Sequence, residues 1–458
     1  MKELFQYLNQ KRSRHLRELF LFLEIASISA DSKNKKDIKN CANFLVRHLK
    51  KIGLQNVKTL RANGNPFVYG EWLGGRGKPT VLAYGHYDVQ PVDPLELWKT
   101  PPFRPSIRAG RIYARGAGDN KGNIFAYFKA IEAYLKTRKA LPVNLKVLLE
   151  GEEEIGSPSS GKFLRIYRKL LGADAVLNSD FGNIRDNGTP EINLGVRGLC
   201  GFEIKAIGSV RDLHSGFYGG AVVNPNFALI WLLSKLKDQN SGKILIPGFY
   251  DAVLPITEEE KKAIKKIPFD EKAYKKKIGV AQFFGEKEFN LLERVGYRPT
   301  VEINGISGGY SGEGFKTVIP AESLAKVSMR LVSEQNPQKI AKLFEDYLKK
   351  KCPPTINIKI KRMGGMAKPW VINRENPYLK IVALSFKKAF NKNPIFIRNG
   401  ATIGIVSEFA EVLNVPVLSM SFGGDNCHAP NENLKLADFY KGIKTVIYFF
   451  QEMSKTRI

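Results

Sequence analysis

Leu149-Glu150-Gly151-Glu152-Glu153-Glu154-Ile155-Gly156-Ser157 closes an apolar run over 143–149 that reads as a buried strand. Three adjacent glutamates at the end of such a run are electrostatically costly, because like charges repel at close range and a buried carboxylate loses its hydration. A solvated acidic loop tip is one reading, since charge runs usually face water. A cation beside the glutamates is the other, and it gains from the rest of the chain, where four further strand-like runs also end in a His or an Asp.

Upstream, the first thirty residues and 38–52 have helical periodicity, and 57–60, 67–72 and 80–84 read as short strands. The last feeds Gly85-His86-Tyr87-Asp88-Val89-Gln90-Pro91. A strand at 110–115 leads to Gly116-Ala117-Gly118-Asp119-Asn120-Lys121-Gly122, a turn that opens a helix to about Thr137. After the glutamates come a helix at 162–171 and a strand at 173–177 ending in Asn178-Ser179-Asp180. Strand, helix, strand, helix, strand predicts an α/β fold with a mostly parallel central sheet and helices on both faces. Ligands of such sheets collect outside the carboxyl ends of the strands, where His86, Glu153, Glu154 and Asp180 lie.

From about Arg197 the grammar changes. Strands at 199–207, 300–304, 324–332 and 356–361, with helices at 225–236 and 337–350, predict an inserted α+β domain. The βα pattern then returns, with helices at 377–390 and 402–413, strands at 395–398 and 415–420, and a closing helix over 432–453. The expected organisation is 1–196 and 372–458 as two parts of one domain, with 197–371 inserted. For a chain of 458 residues more than one domain is the ordinary outcome.

With 43% hydrophobic and 25% charged residues, the composition is that of a globular protein. No run reaches the roughly 18 uncharged apolar residues of a membrane span. The absence of an apolar segment near Met1, and four scattered cysteines, Cys41, Cys200, Cys352 and Cys427, predict a cytoplasmic protein without a disulfide framework. The formal charge of +28 invites a nucleic-acid or other polyanionic partner. The lysines are dispersed and accompany no nucleic-acid motif, so the expectation is solubility, with no nucleic-acid or membrane partner.

Of five histidines, His86, His214 and His428 sit in glycine-rich polar loops, whereas His15 and His48, on basic helices, are expected at the surface. His86 and Asp88 leave the same face of extended backbone, so the aspartate can accept the imidazole's second N–H. Asp119 lies where a turn becomes a helix, and helix capping is its simplest alternative role. His86, Asp119, Glu154, Asp180 and His428 together offer nitrogen and carboxylate donors without a thiolate, a set suited to Zn, Mn or Co. Five side chains exceed the needs of one catalytic zinc but suit two ions about 3.5–4 Å apart if one carboxylate bridges. Such a pair acidifies a bridging water, whose proton a free carboxylate such as Glu153 can take, and the inferred chemistry is hydrolysis of an amide or ester. Gly305-Ile306-Ser307-Gly308-Gly309 matches a nucleophile elbow in letters only, because no helix is expected after it.

The segments 85–91, 113–122, 150–157 and His428-Ala429-Pro430-Asn431-Glu432 together resemble the dinuclear zinc peptidases. That family includes carnosine-type dipeptidases, acetylornithine deacetylase, succinyl-diaminopimelate desuccinylase and aminoacylase. Asp88-Val89-Gln90-Pro91 and Leu97-Trp98-Lys99-Thr100-Pro101-Pro102-Phe103 bring the resemblance nearest to the dipeptidase branch. It implies two divalent ions per subunit, most simply Zn, with His86 and Asp180 on one, Glu154 and His428 on the other, and Asp119 bridging. It further implies Glu153 as general base, Asp88 as support for His86, and 197–371 as a lid and homodimerisation domain. His214 would reach the partner subunit's site and stabilise the oxyanion. Arg330 would grip the substrate's terminal carboxylate, and Thr317, Asn304, Gly400 and Thr402 would line the pocket. The implied activity is hydrolysis of dipeptides or short peptides with a free carboxyl end. N-acyl-amino-acid deacylation on the same scaffold and non-catalytic peptide or polyanion binding are the alternatives. Three departures from the pattern stand out: Asn120 where many members have an aspartate, Cys427 directly before His428, and no proline within 26–29.

Overall fold

A strand that is apolar without alternation is stable only where both its faces are covered. A computed structural model describes residues 1–456. Its principal helices are α1 (Lys2–Gln10), α2 (Arg12–Leu23), α3 (Lys35–Ile52), α4 (Lys121–Thr137), α5 (Ser160–Ile166), α6 (Pro225–Ser234), α7 (Pro337–Lys351), α8 (Pro377–Phe390), α9 (Gly404–Leu413) and α10 (Leu436–Met453). The strands that matter here are β1 (Gln55–Leu60), β2 (Phe67–Trp72), β3 (Thr80–His86), β4 (Arg111–Tyr113), β5 (Asn144–Glu150), β6 (Ala175–Asn178), β7 (Gly198–Ile207), β8 (Thr300–Gly308), β9 (Glu322–Leu331), β10 (Asn357–Arg362), β11 (Val417–Ser419) and β12 (Asn433–Lys435). Two compact units result. One comprises Met1–Leu194, Ile372–Ile397 and Ile405–Ile458, the other Gly195–Val371 and Arg398–Gly404.

The first unit is built on a six-stranded sheet in the order β1-β2-β5-β3-β6-β11. β3 runs parallel to β5 and β6, and β6 parallel to β11, while β2 is antiparallel to both β1 and β5. Alternate side chains of β3 meet opposite layers. The Tyr84 ring packs edge-on against Phe409 of α9 at 5.1 Å, whereas Gly85 faces α4. A methyl group at Gly85 would come within 2.0 Å of Ile124 Cγ2, so this strand end tolerates no side chain. Helices therefore cover both faces, and the strand ends are free to carry chemistry.

Helix α4 is buried around its whole circumference from Lys121 to Leu135. Such a helix belongs to the interior, yet it carries Lys129 with no exposure at all. A buried ammonium needs compensation, which comes from its own helix and from two neighbouring ones: its Nζ donates to Glu132 of α4 at 2.8 Å, to Glu18 of α2 at 2.6 Å and to His48 Nε2 of α3 at 3.3 Å. His15 and His48, expected at the surface, are consequently 0% and 5% exposed. Burial, and then the charge of Lys129, push His48 down to about 3 and His15 down to about 4, so both stay neutral acceptors. The closing helix also differs from expectation. It starts at Leu436, because 433–435 form β12 on β4 and Glu432 turns inward.

The second unit contains an antiparallel sheet ordered β8-β9-β7-β10. Burial alternates along β7 and β9: Cys200, Phe202, Ile204, Val327 and Met329 enter one core with Leu229 and Leu232 of α6 and Phe344 of α7, while the opposite face is more exposed and carries Glu203, Lys205, Lys326 and Arg330. β8 runs past Asn304 to Gly308 with a register shift between Ile303 and Gly305. Ser307 thus lies within an edge strand, with no helix following, and is no nucleophile elbow. Arg398–Gly404 join this unit because the Arg197 N–H donates to Ala401 O at 2.9 Å and the Arg197 guanidinium to Gly400 O at 2.9 Å.

Candidate metal centre

In the first unit, the ends of β3, β5 and β6, the turn before α4 and the loop after β11 converge. They carry His86, the pair Glu153 and Glu154, Asp180, Asp119 and His428. The potential donor atoms of His86, Asp119 and Asp180 lie within 4.8 Å of one another, and so do those of Asp119, Glu154 and His428. Asp119 belongs to both sets and divides its oxygens between them: Oδ1 is 3.0 Å from His86 Nε2 and Oδ2 is 3.0 Å from His428 Nε2. His428 Nε2 also lies 3.2 Å from Glu154 Oε2, and His86 Nε2 lies 3.9 Å from Asp180 Oδ2.

Asp88 does more than support a histidine. His86 Nδ1 meets the Asp88 backbone carbonyl at 3.1 Å, with the carboxylate further off at 3.5 Å. That carboxylate instead accepts the backbone N–H groups of Glu153 at 3.3 Å and Glu154 at 3.1 Å. A proton kept on Nδ1 leaves Nε2 its lone pair for a cation. Gln90 fixes the neighbouring donor, its amide nitrogen donating to Glu154 Oε2 at 2.8 Å.

The charges are frustrated as they stand. Burial opposes protonation of His86, but hydrogen bonds to Asp119 and Asp88 outweigh it and push the imidazole well up. His428 rises to about 10 through its bonds to Asp119 and Glu154. Asp119 is held far down by the two histidines against burial. Burial followed by the Asp119 charge lifts Asp180 to about 6, and burial together with Asp180, Glu154 and Asp119 lifts Glu153 well above the carboxylate range. Protons thus occupy the place that cations neutralise better. Two borderline N/O donor sets sharing one carboxylate fit a pair of divalent ions. Cys427 adds no thiolate, because burial and the surrounding carboxylates push its thiol up.

Sequence reasoning missed Glu432 except as part of a motif. Its fully buried carboxylate accepts the N–H groups of Gly118 and Asp119 on Oε1, both at 2.9 Å, and those of Gly116 at 3.0 Å and the Arg115 guanidinium at 2.8 Å on Oε2. An acidic residue four positions after a histidine ligand candidate, beside a glycine-rich turn that exposes backbone donors, is the signal that could have found it.

The other candidates lie in the second unit. His214 is exposed, its Nδ1 accepting the Gly216 N–H at 3.0 Å and its Nε2 lying 3.5 Å from Thr317 Oγ1. Arg330, on β9 between Leu199 and Thr300, is pulled down by burial, and Arg197 is pulled down to about 10 by burial and then by the Arg330 charge. Thr402 Oγ1 donates to Arg197 O at 2.7 Å, next to Gly400. Asn304 is exposed at the β8 irregularity.

A doubly covered, mostly parallel sheet that delivers two histidines and three carboxylates to its strand ends defines an α/β metallohydrolase. Residues 82–452 match Peptidase family M20/M25/M40, and the chain belongs to that family. The chain is 31% identical over 472 residues to the Cys-Gly metallodipeptidase dug1 of Schizosaccharomyces pombe, covering 99% of this chain and 98% of that protein. It is 33% identical over 398 residues to the Beta-Ala-His dipeptidase of Homo sapiens, covering 85% of this chain and 78% of that protein. Among solved structures it is similar to the M20 family metallo-carboxypeptidase Sso-CP2 from Sulfolobus solfataricus, with a TM-score of 0.89 and 35% identity over 96% of this chain and 99% of that one. The resemblance read from the motifs therefore holds, and the protein is a metal-dependent hydrolase.

Proposed function

We propose that the chain hydrolyses the amide bond of dipeptides or short peptides that carry a free C-terminal carboxylate, using two divalent ions. The observation that carries this reading is the pair of donor sets sharing Asp119, with Glu153, directly before Glu154, close enough to feel the charges of both sets. His86 and Asp180 would hold one ion, Glu154 and His428 the other, with Asp119 between and Asp88 fixing His86 and both glutamates. When bound, the ions supply Lewis-acid activation of water and of the scissile carbonyl. The N/O donor set favours zinc, with manganese or cobalt as substitutes. Glu153 takes the proton of the attacking water and passes it to the nitrogen of the leaving amine. Arg330 binds the terminal carboxylate, with Thr317, Asn304, Gly400 and Thr402 around the peptide, and His214 donates to the developing oxyanion.

Homodimerisation through the inserted domain would bring His214 to the partner subunit's site. Supporting it, Phe227, Ile230 and Trp231 of α6 and Ile306 of the edge strand β8 are all at least half exposed, an unusual concentration of apolar surface on one unit. Work in the cytoplasm is supported by four unpaired cysteines. Among the described residues no helix is long and apolar enough to cross a membrane.

The test is elemental analysis of the purified protein, with hydrolysis of a mixed dipeptide library and of N-acetyl amino acids before chelation, after chelation and after zinc or manganese return. Two ions per chain and chelator-reversible dipeptide cleavage are expected. Efficient acetate release with dipeptides untouched would move the substrate class to acyl amino acids. Folded protein that stays metal-free and inert would overturn the reading.

A further inference from the structure

Glu432 stands four residues beyond His428 on the same loop, yet all of its hydrogen-bonding capacity is spent on the turn that carries Asp119. Four donors converge on its two oxygens: Gly118 N and Asp119 N on Oε1, Gly116 N and Arg115 Nη1 on Oε2, at 2.8–3.0 Å. The side chain has no solvent exposure, so no water replaces any of these bonds if it moves. Arg115 extends the connection, its Nη2 donating to Pro91 O at 2.8 Å, in the segment that follows His86 and Asp88. The glycines are required for this closeness. A Cβ at Gly118 would lie 2.7 Å from the Gly424 Cα, and one at Gly122 would lie 2.1 Å from Ala117 O.

We propose that Glu432 is a positioning residue for the metal centre, an internal strut that sets the separation between the His428 loop and the Asp119 turn and thereby the geometry of the carboxylate shared by both donor sets. It touches neither substrate nor reacting atoms. The strut needs an acceptor-only group of full glutamate length. Glutamine keeps one acceptor oxygen and turns an NH2 towards two of the donors, and aspartate keeps the charge but falls short by one methylene. The inference rests on the proposed metal-binding reading of His86, Asp119, Glu154, Asp180 and His428.

Glu432→Gln and Glu432→Asp test it. Each is stripped of metal, checked for secondary structure by circular dichroism and for thermal midpoint, and titrated with zinc and with manganese against a competing chelator. A folded variant is expected to bind at least one of the two ions tenfold to a hundredfold more weakly than the wild type, the usual effect of losing a group that orients a ligand. If Glu432→Gln does not fold, Glu432→Asp carries the test. Wild-type affinity for both ions in either folded variant overturns the inference, even where the metal-free thermal midpoint has fallen, since that is what a merely structural contact does. A wild-type protein that binds neither ion overturns the metal-binding reading together with this one.

Discussion

Replacing Lys129 by Met should destabilise the first unit by about 3–5 kcal/mol, the cost of breaking a buried ion pair from one side. Counting the bonds gives an overlapping figure of about 3–6 kcal/mol. Nζ makes two charge-assisted bonds, to Glu18 at 2.6 Å and to Glu132 at 2.8 Å, each worth roughly 1.5–3 kcal/mol. Methionine replaces the aliphatic stem, so the packing loss is small and the electrostatic loss dominates. Lys51 still holds Glu18 Oε1, and Arg14 and Tyr7 still hold Glu132 Oε1, but both Oε2 atoms are left facing one another. Urea unfolding followed by circular dichroism at pH 7.5, with chelator present so that metal linkage is constant, measures the loss. Adding Glu18→Gln to Lys129→Met should recover about 1 kcal/mol or more, because one of the opposed charges is gone. A loss below about 1 kcal/mol for the single variant, or no recovery in the double, would refute the view that this ammonium holds α2, α3 and α4 together.

At the proposed site, Glu153→Gln should retain two ions by elemental analysis and lower kcat by roughly 10²–10⁴-fold with little change in KM, the contribution expected of a general base. Arg330→Met should raise KM for dipeptides and lower kcat/KM about 10–100-fold, on the scale of one hydrogen-bonded charge pair, while C-terminally amidated peptides show little difference between variant and wild type. The acid response of His48 has a fixed sign. Burial and then Lys129 place its folded pKa at about 3, below the unfolded value near 6.5, so the unfolded chain binds the extra proton and stability at this residue is lost as pH falls from 6.5 towards 3. Between pH 7 and pH 5 the wild type should lose about 2 kcal/mol that His48→Phe does not, read as the difference between their urea midpoints at the two pH values.

The strands and the donor positions were legible because each obeys a rule that acts locally. A parallel strand covered on both faces needs a continuous apolar run, and a helix such as α10 shows its spacing in sequence. A polar residue straight after such a run has few places to go but the strand's carboxyl end. His15 and His48 were not legible for the opposite reason. Arg14 and Arg17, or Arg47, Lys50 and Lys51, surround them in sequence and give each helix a basic look, while the groups they meet lie on α4, far along the chain: Phe125, Phe128 and Lys129 against His48, and Glu132, 4.0 Å away, beside His15. Glu432 was hidden in the same way, since an acid at the start of an apparent helix has an ordinary capping explanation. Its actual partners are the backbone N–H groups of another loop, which no side-chain pattern records. The extension of β8 through Gly305 to Gly308 was lost because an edge strand with a bulge tolerates residues that a central strand excludes.

Asn120 is the departure that bears most directly on the metal centre, and its surroundings decide what the missing aspartate costs. Its Nδ2 donates to Ser179 O at 3.0 Å and its Oδ1 accepts the Ser179 hydroxyl at 2.6 Å, so both ends of the amide are used on one residue. An aspartate in this conformation would set a carboxylate oxygen against a carbonyl oxygen with no proton between them, in a place where nothing is exposed. The asparagine therefore belongs to the scaffold: it ties the turn bearing Asp119 to the residue just before Asp180, two donors of the same set. Gly85 is part of that tie, since a Cβ there would lie 2.4 Å from the Ser179 hydroxyl and 2.8 Å from the Asn120 amide oxygen. The charge of the donor set is carried by Asp119, Glu154 and Asp180 without help from position 120, and the amide ties the segments of two of them together without adding a fourth negative charge.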